Sequence, residues 1–248
     1  FDVDIDDIHR LTLNYKEVDS NQLRNQNTSS SSMKFSSQEY NKGETTETSG
    51  LLLVSNWTDD FVTEFSYTTK DQITSQQSPL GQNLPSFQIN NCGSQGIRCY
   101  LGPDIFRSAN DLKTTTDYLK LKGTYYRDNH KLTFGYENKV WDIYNVFLEA
   151  QDGEYEFDGL AAYQAQTASS FSHNNSRDLT QAGAAAIFEY YLDSIYIQDE
   201  IDLSDKLNVL VGLRYDRFDS DDAPSVNQGF VDTFGSVSYT HLRAHETG

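Results

Sequence analysis

The chain has 248 residues, and its 37 acidic against 19 basic side chains give a formal net charge of -18. This excess of carboxylates argues against nucleic acid as a partner, because contact with phosphates requires clustered Lys and Arg side chains. The sequence holds no run of about 18 apolar residues, so it predicts no transmembrane helix. Aromatic residues make up 13% of the chain, too many for a disordered acidic polypeptide. The composition therefore predicts a folded, aromatic-rich β protein.

Apolar and polar residues alternate with a period of two along much of the chain, which predicts strands. The first residues, 1–7, already alternate and carry neither an initiator Met nor a basic leader, so we expect that they are not a natural N-terminus. After this partial strand, about seven full strands are predicted in chain order. They lie at 9–18, 51–56, 61–69, 119–126, 131–140, 195–203 and 207–218.

The connections between these strands alternate strictly between short and long. The short ones are rich in Asp, Asn and Ser, which suit tight turns; they lie at 4–7, 56–60, 127–129 and 204–206. The long loops are predicted at about 20–49, 72–111 and 141–183, with a further loop from 219. Loops of this length are uncommon in a compact domain. Short turns on one side and long loops on the other are typical of an outer-membrane barrel.

The two faces of the strands agree with a barrel. One face is apolar, while the other carries charges on nearly every strand; these are Arg10, Lys16, Glu64, Lys120, Lys122, Glu137, Glu200 and Arg214. Lipid outside and a wet lumen inside explain this arrangement. We predict an all-β fold: part of an antiparallel up-and-down transmembrane β-barrel, with about seven to eight strands of a larger barrel. A soluble antiparallel sheet with one wet face alternates in the same way and remains an alternative.

Two cysteines, Cys92 and Cys99, lie close together in the second long loop. A metal site requires further soft ligands nearby, and the five His residues lie elsewhere in the sequence. We therefore predict a local disulfide rather than two free thiols, and no metal site. A disulfide implies an oxidising compartment.

Several segments resemble known proteins. The segment 196–216 contains Tyr196-Ile-Gln-Asp-Glu200, Leu203-Ser-Asp-Lys-Leu207 and Gly212-Leu-Arg-Tyr-Asp216. In this order it resembles a late-barrel hairpin of the TonB-dependent outer-membrane receptors, although Ile201 stands where an aromatic residue is common. The segments 130–137, 145–148, 155–163 and 230–235 are similar to the Oar-like branch of that family.

The resemblance implies a larger protein than this chain. A complete receptor of that family has a 22-stranded barrel, an N-terminal plug and a TonB box that contacts the inner-membrane energy complex. Residues 1–236 would form part of the barrel, and the TonB contact would lie in an N-terminal region missing from the chain. Residues 237–248 resemble read-through of a sequencing adapter, and we expect them to be a non-native tail.

The expected function is energy-coupled uptake of a large or scarce ligand across the outer membrane of a Gram-negative bacterium. No catalytic motif is present, so we expect no enzyme and no cofactor. The expected partners are outer-membrane lipid and lipopolysaccharide, the TonB complex and an unknown extracellular ligand. Loop aromatics could contact that ligand or pack a small core of their own; they are Trp141, Tyr144, Phe147, Tyr155, Phe157 and Tyr163. The alternatives are a passive porin-like or protein-translocating barrel and a secreted soluble β-sheet adhesin.

Overall fold

The computed structural model describes residues 1–81, 83–93, 96–176, 179–220, 226 and 228–235. In chain order, the strands within these residues are β1 (Asp2–Asp4), β2 (His9–Arg24), β3 (Ser32–Lys34), β4 (Tyr40–Thr58), β5 (Phe61–Gln77), β6 (Ser86–Ile89), β7 (Arg98–Leu101), β8 (Ala109–Arg127), β9 (His130–Leu148), β10 (Glu154–Phe157), β11 (Ser170–Ser172), β12 (Ala186–Ser204) and β13 (Leu207–Asp219). The helices are α1 (Leu160–Gln164), α2 (Gln181–Ala184) and α3 (Gln228–Phe234). None of these helices is long and apolar enough to cross a membrane.

Eight strands form one antiparallel sheet, the main sheet, in the order β1-β2-β4-β5-β8-β9-β12-β13. The strands of the main sheet therefore follow one another in chain order, with only the short loop strands in between. For example, β8 pairs with β9 without interruption from Ala109↔Leu148 to Arg127↔His130. The predicted all-β, up-and-down fold is confirmed, with the long strands and a short one at the start. Within the described residues, β1 and β13 each pair on one side only, so the sheet is open, as in a partial barrel.

One face of the main sheet carries a band of large apolar side chains. The cross-strand register aligns Leu53, Phe65 and Leu121 on β4, β5 and β8. Many side chains of the band are exposed, among them Leu13, Tyr15, Tyr67, Leu121, Phe134, Ile195, Ile197, Leu213 and Tyr215. A continuous exposed apolar surface of this kind marks contact with another protein or with a membrane. In a transmembrane barrel it contacts lipid.

The opposite face of the main sheet is polar, and its charges pair across strands. Lys122 donates to Glu64 at 2.8 Å, and Arg214 donates to Glu137 at 3.0 Å. A Cβ on Gly135 would come within 2.5 Å of the Tyr196 ring on the neighbouring strand, so this ring covers the glycine. This face forms the wet inner wall that the alternation predicts.

Short turns join the strands at one end, the turn end. Residues 5–8 join β1 to β2, and two-residue turns are formed by 59–60, 128–129 and 205–206. Asp128 has a φ of 53°, in the left-handed region that short hairpin turns require and that Asp tolerates. The composition of the short connections therefore predicted this end correctly.

The strands extend further toward the other end, the loop end, than the alternation predicts. The boundaries 20–49, 72–111 and 141–183 are wrong: the connections between main-sheet strands are 25–39, 78–108 and 149–185. The outer parts of β2, β4 and β5 are polar on both faces, and the outer part of β9 carries apolar residues on both faces. Alternation is therefore weak in these parts, while the antiparallel hydrogen bonds continue. β13 ends at Asp219, where the last loop is predicted to start. The expected tail at 237–248 lies outside the described residues.

Candidate functional site at the loop end

Segments of the three long loops meet in a second, five-stranded sheet, the crown sheet, in the order β11-β10-β6-β7-β3. β3 comes from the first loop, β6 and β7 from the second, and β10 and β11 from the third. Two of its pairings, β6 with β10 and β3 with β7, are parallel. The crown sheet therefore ties together segments that are far apart in sequence.

One face of the crown sheet holds a small apolar core. Its buried members are Ile89, Cys92, Cys99 and Phe157. Helix α1 brings Tyr163 against this core, with its ring centre 5.2 Å from that of Phe157 and 6.2 Å from that of Phe87. Burial of these side chains gives the loops a source of order that is independent of the main sheet.

A disulfide joins Cys92 to Cys99 at the edge of this core. Inside the loop that it closes, the backbone N–H of Gly96 donates to Oδ1 of Asn91 at 2.8 Å. Asn91 itself has a φ of 49°, which Asn adopts more readily than most residues. The disulfide and this side-chain bond together fix the backbone from which the Arg98 side chain projects.

The other face of the crown sheet is polar. Its register aligns Ser170, Glu156, Gln88, Tyr100 and Lys34 in one row across the five strands. Glu156 accepts hydrogen bonds from Asn90 at 2.6 Å, from Gln88 at 3.2 Å and from Ser170 at 3.0 Å. The carboxylate therefore fixes the orientation of two amide side chains.

Two glutamates of β10 have opposite pKa shifts. The hydrogen bond from Asn90, followed by those from Ser170 and Gln88, lowers the pKa of Glu156, because these donors favour its charged form. Burial, with the nearby charge of Glu156, raises the pKa of Glu154. The Oε1 atom of Glu154 is buried and has no hydrogen-bond partner among the described residues. The two carboxyl groups of β10 therefore lie in different surroundings.

A cavity of 460 Å³ opens on this polar face. Its lining consists of Gln88, Asn90, Asn91, Gly96, Arg98, Glu156 and Asp158. Arg98 and Asp158 are both exposed. Among the described residues, the Arg98 guanidinium has no ion pair and the Asp158 carboxylate accepts no hydrogen bond, so both groups are available to a ligand.

Comparison with known proteins identifies the family. Residues 2–239 match the family described as "Outer membrane beta barrel domain". The chain belongs to this family. Its fold is similar to that of the outer membrane transporter YddB from Escherichia coli, with a TM-score of 0.57 and 11% sequence identity over 88% of this chain. The match covers 26% of the YddB chain, so this barrel segment spans about a quarter of the length of that transporter. No curated protein matches the sequence significantly.

Membership of the outer-membrane barrel family fixes the surroundings of both sheets. The protein lies in the outer membrane, and the alternative of a secreted soluble sheet is wrong. In barrels of this kind the short turns face the periplasm and the long loops face the outside of the cell. The crown sheet of this outer-membrane barrel is therefore extracellular.

Of the six aromatic candidates, three lie in the crown of the outer-membrane barrel. Phe157 is 5% exposed and belongs to its core, and Tyr163 packs on that core. Tyr155 stacks on Phe87, with 6.0 Å between ring centres, and lies 4.6 Å from Phe171. These rings hold the crown together, which is the second of the two roles expected for them.

The other three, Trp141, Tyr144 and Phe147, are not loop residues, because β9 continues to Leu148. Trp141 pairs with Tyr190 of β12, and the two rings are 5.7 Å apart on the inner wall. Tyr144 points to the other face, with the Lys113 ammonium 5.5 Å from its ring centre. Their predicted contact with a ligand stays a prediction.

Sequence reasoning did not find the crown cavity of the outer-membrane barrel. Gln88, Asn90 and Arg98 lie on or beside strands of four residues, which are too short for a period of two to stand out. Their partners come from another loop through a parallel pairing. The unusual density of Asn and Gln between 82 and 91 is the only trace that this site leaves in the sequence.

Proposed function

We propose that the chain is part of a TonB-dependent receptor, which imports a large or scarce ligand through energy-coupled opening of a plug inside the barrel. The outer face of the barrel wall contacts lipid and its inner face keeps the lumen polar. The crown binds the ligand. The TonB complex acts through a region beyond this chain, and lipopolysaccharide surrounds the extracellular half. No covalent bond is made or broken in this process.

The observation that carries the proposal is the crown. Three loops form one sheet, and the second and third of them share one apolar core and one polar cavity beside a disulfide of the second loop. A passive pore needs only an opening, whereas a receptor that captures a scarce ligand gains affinity from a site that is ordered before binding. The crown is such a site.

Two further observations support it. The segment that resembles a hairpin of TonB-dependent receptors has the strand–turn–strand form that the resemblance implies: 196–200 lie on β12, 205–206 form the turn and 212–216 lie on β13. The open main sheet belongs to a barrel of more than its own strands. Larger barrels enclose either a water channel or a plug, and the paired charges of the inner wall suit contact with a polar plug.

The test compares a plugged receptor with a passive pore. The full-length protein is reconstituted in liposomes, and swelling in arabinose and raffinose is measured alongside binding of the purified periplasmic domain of TonB. A receptor binds TonB and admits neither sugar. Swelling without TonB binding would replace the proposal by the passive porin-like or protein-translocating barrel.

A further inference from the structure

The cavity of the crown sheet is lined by amide, guanidinium and carboxylate groups. Resting on the proposed function and naming its ligand class, we propose that this cavity binds a neutral glycan as the first extracellular contact of the imported ligand. The argument depends on which groups line the cavity, how they are held and what they leave unoccupied.

The lining consists mostly of planar hydrogen-bonding groups. The amides of Gln88, Asn90 and Asn91 already bond to neighbouring groups, which leaves the Gln88 oxygen as an acceptor and the amide nitrogens of Asn90 and Asn91 as donors. Arg98 supplies further donors and Asp158 supplies further acceptors. Each sugar hydroxyl both donates and accepts, so a pair of neighbouring hydroxyls matches a lining in which donors and acceptors alternate. The lining residues that the structure describes include no aromatic or aliphatic side chain, which disfavours an apolar ligand.

The amides are held in place before any ligand arrives. Gln88 donates to both Asn90 and Glu156, at 3.1 Å and 3.2 Å, and Asn90 donates to Glu156 at 2.6 Å. Asn91 is fixed by its bond from the backbone of Gly96. Because these side chains lose little freedom on binding, a weak polar ligand keeps more of its interaction energy. Glu156 is a positioning residue here, since its oxygens already accept bonds from three side chains.

The charges of the cavity favour a neutral ligand. Arg98 opposes the two carboxylates, so the lining holds both signs in a small volume. A strongly cationic ligand would meet Arg98, and a strongly anionic one would meet Glu156 and Asp158. Hydrogen bonds from a charged side chain to a neutral hydroxyl are stronger than those between neutral groups, so Arg98 and Asp158 should dominate the affinity.

The experiment uses the full-length receptor, purified in detergent and applied to an array of defined neutral, cationic and anionic glycans. The strongest neutral glycan on the array is then titrated by calorimetry. We expect Arg98→Ala and Asp158→Asn each to weaken its binding about tenfold or more. Both side chains are exposed, so neither change should unfold the crown.

Matched controls lie at the turn end, on the opposite side of the barrel. Arg127→Ala and Asp205→Asn remove the same kinds of charge from exposed positions and should leave the affinity unchanged. Binding of the neutral glycan should also be insensitive to added salt. Attraction of a cationic glycan to the negatively charged chain would instead weaken as salt is added.

The proposal is overturned if no neutral glycan is retained, if only cationic glycans bind in a salt-sensitive way, or if Arg98→Ala and Asp158→Asn bind as the unchanged receptor does. None of these outcomes affects TonB binding or liposome swelling, which do not involve the cavity. Failure of the glycan site and failure of the proposed function are thus separate results.

Discussion

The main sheet and the crown sheet are stabilised by different interactions. Strands of the main sheet pair with their neighbours in an antiparallel meander, and their apolar face is covered by lipid. The crown sheet pairs distant segments, partly in parallel, around a core of a few buried side chains. The main sheet therefore depends on a pattern repeated along the whole chain, whereas the crown depends on a few individual residues.

The largest expected effect comes from removing a ring from the crown core. Phe157→Ala should destabilise the crown by about 3–5 kcal/mol, because Phe157 is 5% exposed and its removal leaves a cavity among residues that cannot fill it. Tryptic cleavage after Arg98 and Arg107, followed by mass spectrometry, measures opening of the crown. Heat-modifiable migration of the full-length protein on gels measures the barrel, which should be unaffected.

Phe147→Ala is the matched control for this change, since Phe147 is 54% exposed and only stacks on Phe106 at 6.4 Å. It should cost about 1 kcal/mol or less. If Phe157→Ala also abolished the folded barrel, the two sheets would form one cooperative unit and the comparison would fail.

The main sheet should respond instead to charge on its lipid face. Leu121→Lys should destabilise the barrel by about 2–4 kcal/mol, because it places an ammonium in the lipid-facing band. Thr68→Lys is the control, since its side chain lies on the polar inner wall opposite Gly50 and Tyr118. The yield of folded barrel in lipid vesicles decides between them. Equal losses from both variants would contradict the assignment of the two faces.

Removal of the disulfide should weaken the crown by a smaller amount. Replacing both Cys92 and Cys99 by Ser should cost about 2–3 kcal/mol, the value expected for a short closed loop. Tryptic cleavage after Arg98 should become faster, with the same gel migration of the barrel. The unchanged protein treated with a reductant should behave in the same way, and a variant that is no more sensitive than the unchanged protein would show that the core alone holds the loop.

The smallest expected effect is on the pH dependence of the crown. Burial raises the pKa of Glu154 above its usual 4.5, so its contribution to stability is present below that value and is lost as the pH rises through the raised pKa. Glu154→Gln should therefore stabilise the crown at neutral pH. It should also reduce the loss of crown stability that occurs as the pH rises from acidic values. Tryptic cleavage is too pH-dependent for this purpose, so hydrogen exchange of crown amides, corrected for intrinsic rates, is the measurement.

Glu156→Gln should act in the opposite direction. Hydrogen bonds lower the pKa of Glu156, so its contribution is present above 4.5 and is lost as the pH falls through the lowered pKa. The variant should destabilise the crown at neutral pH. The same sign for both variants would mean that the two carboxyl groups do not differ in surroundings as described.

The contrast between the sheets also explains what the sequence predicted well. Alternation located the lipid-facing parts of the long strands, for example 119–126 and 131–140, and turn composition located the turn at 128–129. Alternation did not locate the strand ends, because Thr114, Thr115 and Thr116 on β8 lie beyond the band and are polar on both faces. Trp141, Tyr144 and Phe147 were assigned to a loop for a different reason: between 140 and 148 apolar residues occupy both faces of β9, so the alternation is also lost there.

The candidate site was predicted less well than the wall. The sequence placed Tyr155, Phe157 and Tyr163 in the right region, and the nearness of Cys92 and Cys99 predicted their bond. It did not bring Gln88 to Glu156, since those residues meet only through the parallel pairing of β6 and β10. Such pairing depends on which loops pack against the common core, and no local pattern records it.

By itself, the sequence determined the wall: a period of two places lipid on one side and water on the other, and it acts between residues that are neighbours along the chain. Only the tertiary structure decided the crown, in which Asn90 after β6, Arg98 on β7 and Glu156 on β10 come together. The physical reason is that the lipid or water on each face of a strand selects alternating apolar and polar residues, which produces a visible period. A site depends instead on contacts between loops that are far apart in sequence, and these contacts produce no periodic pattern. In this outer-membrane barrel the sequence pattern predicts the wall, whereas the packing of the loops forms the binding surface.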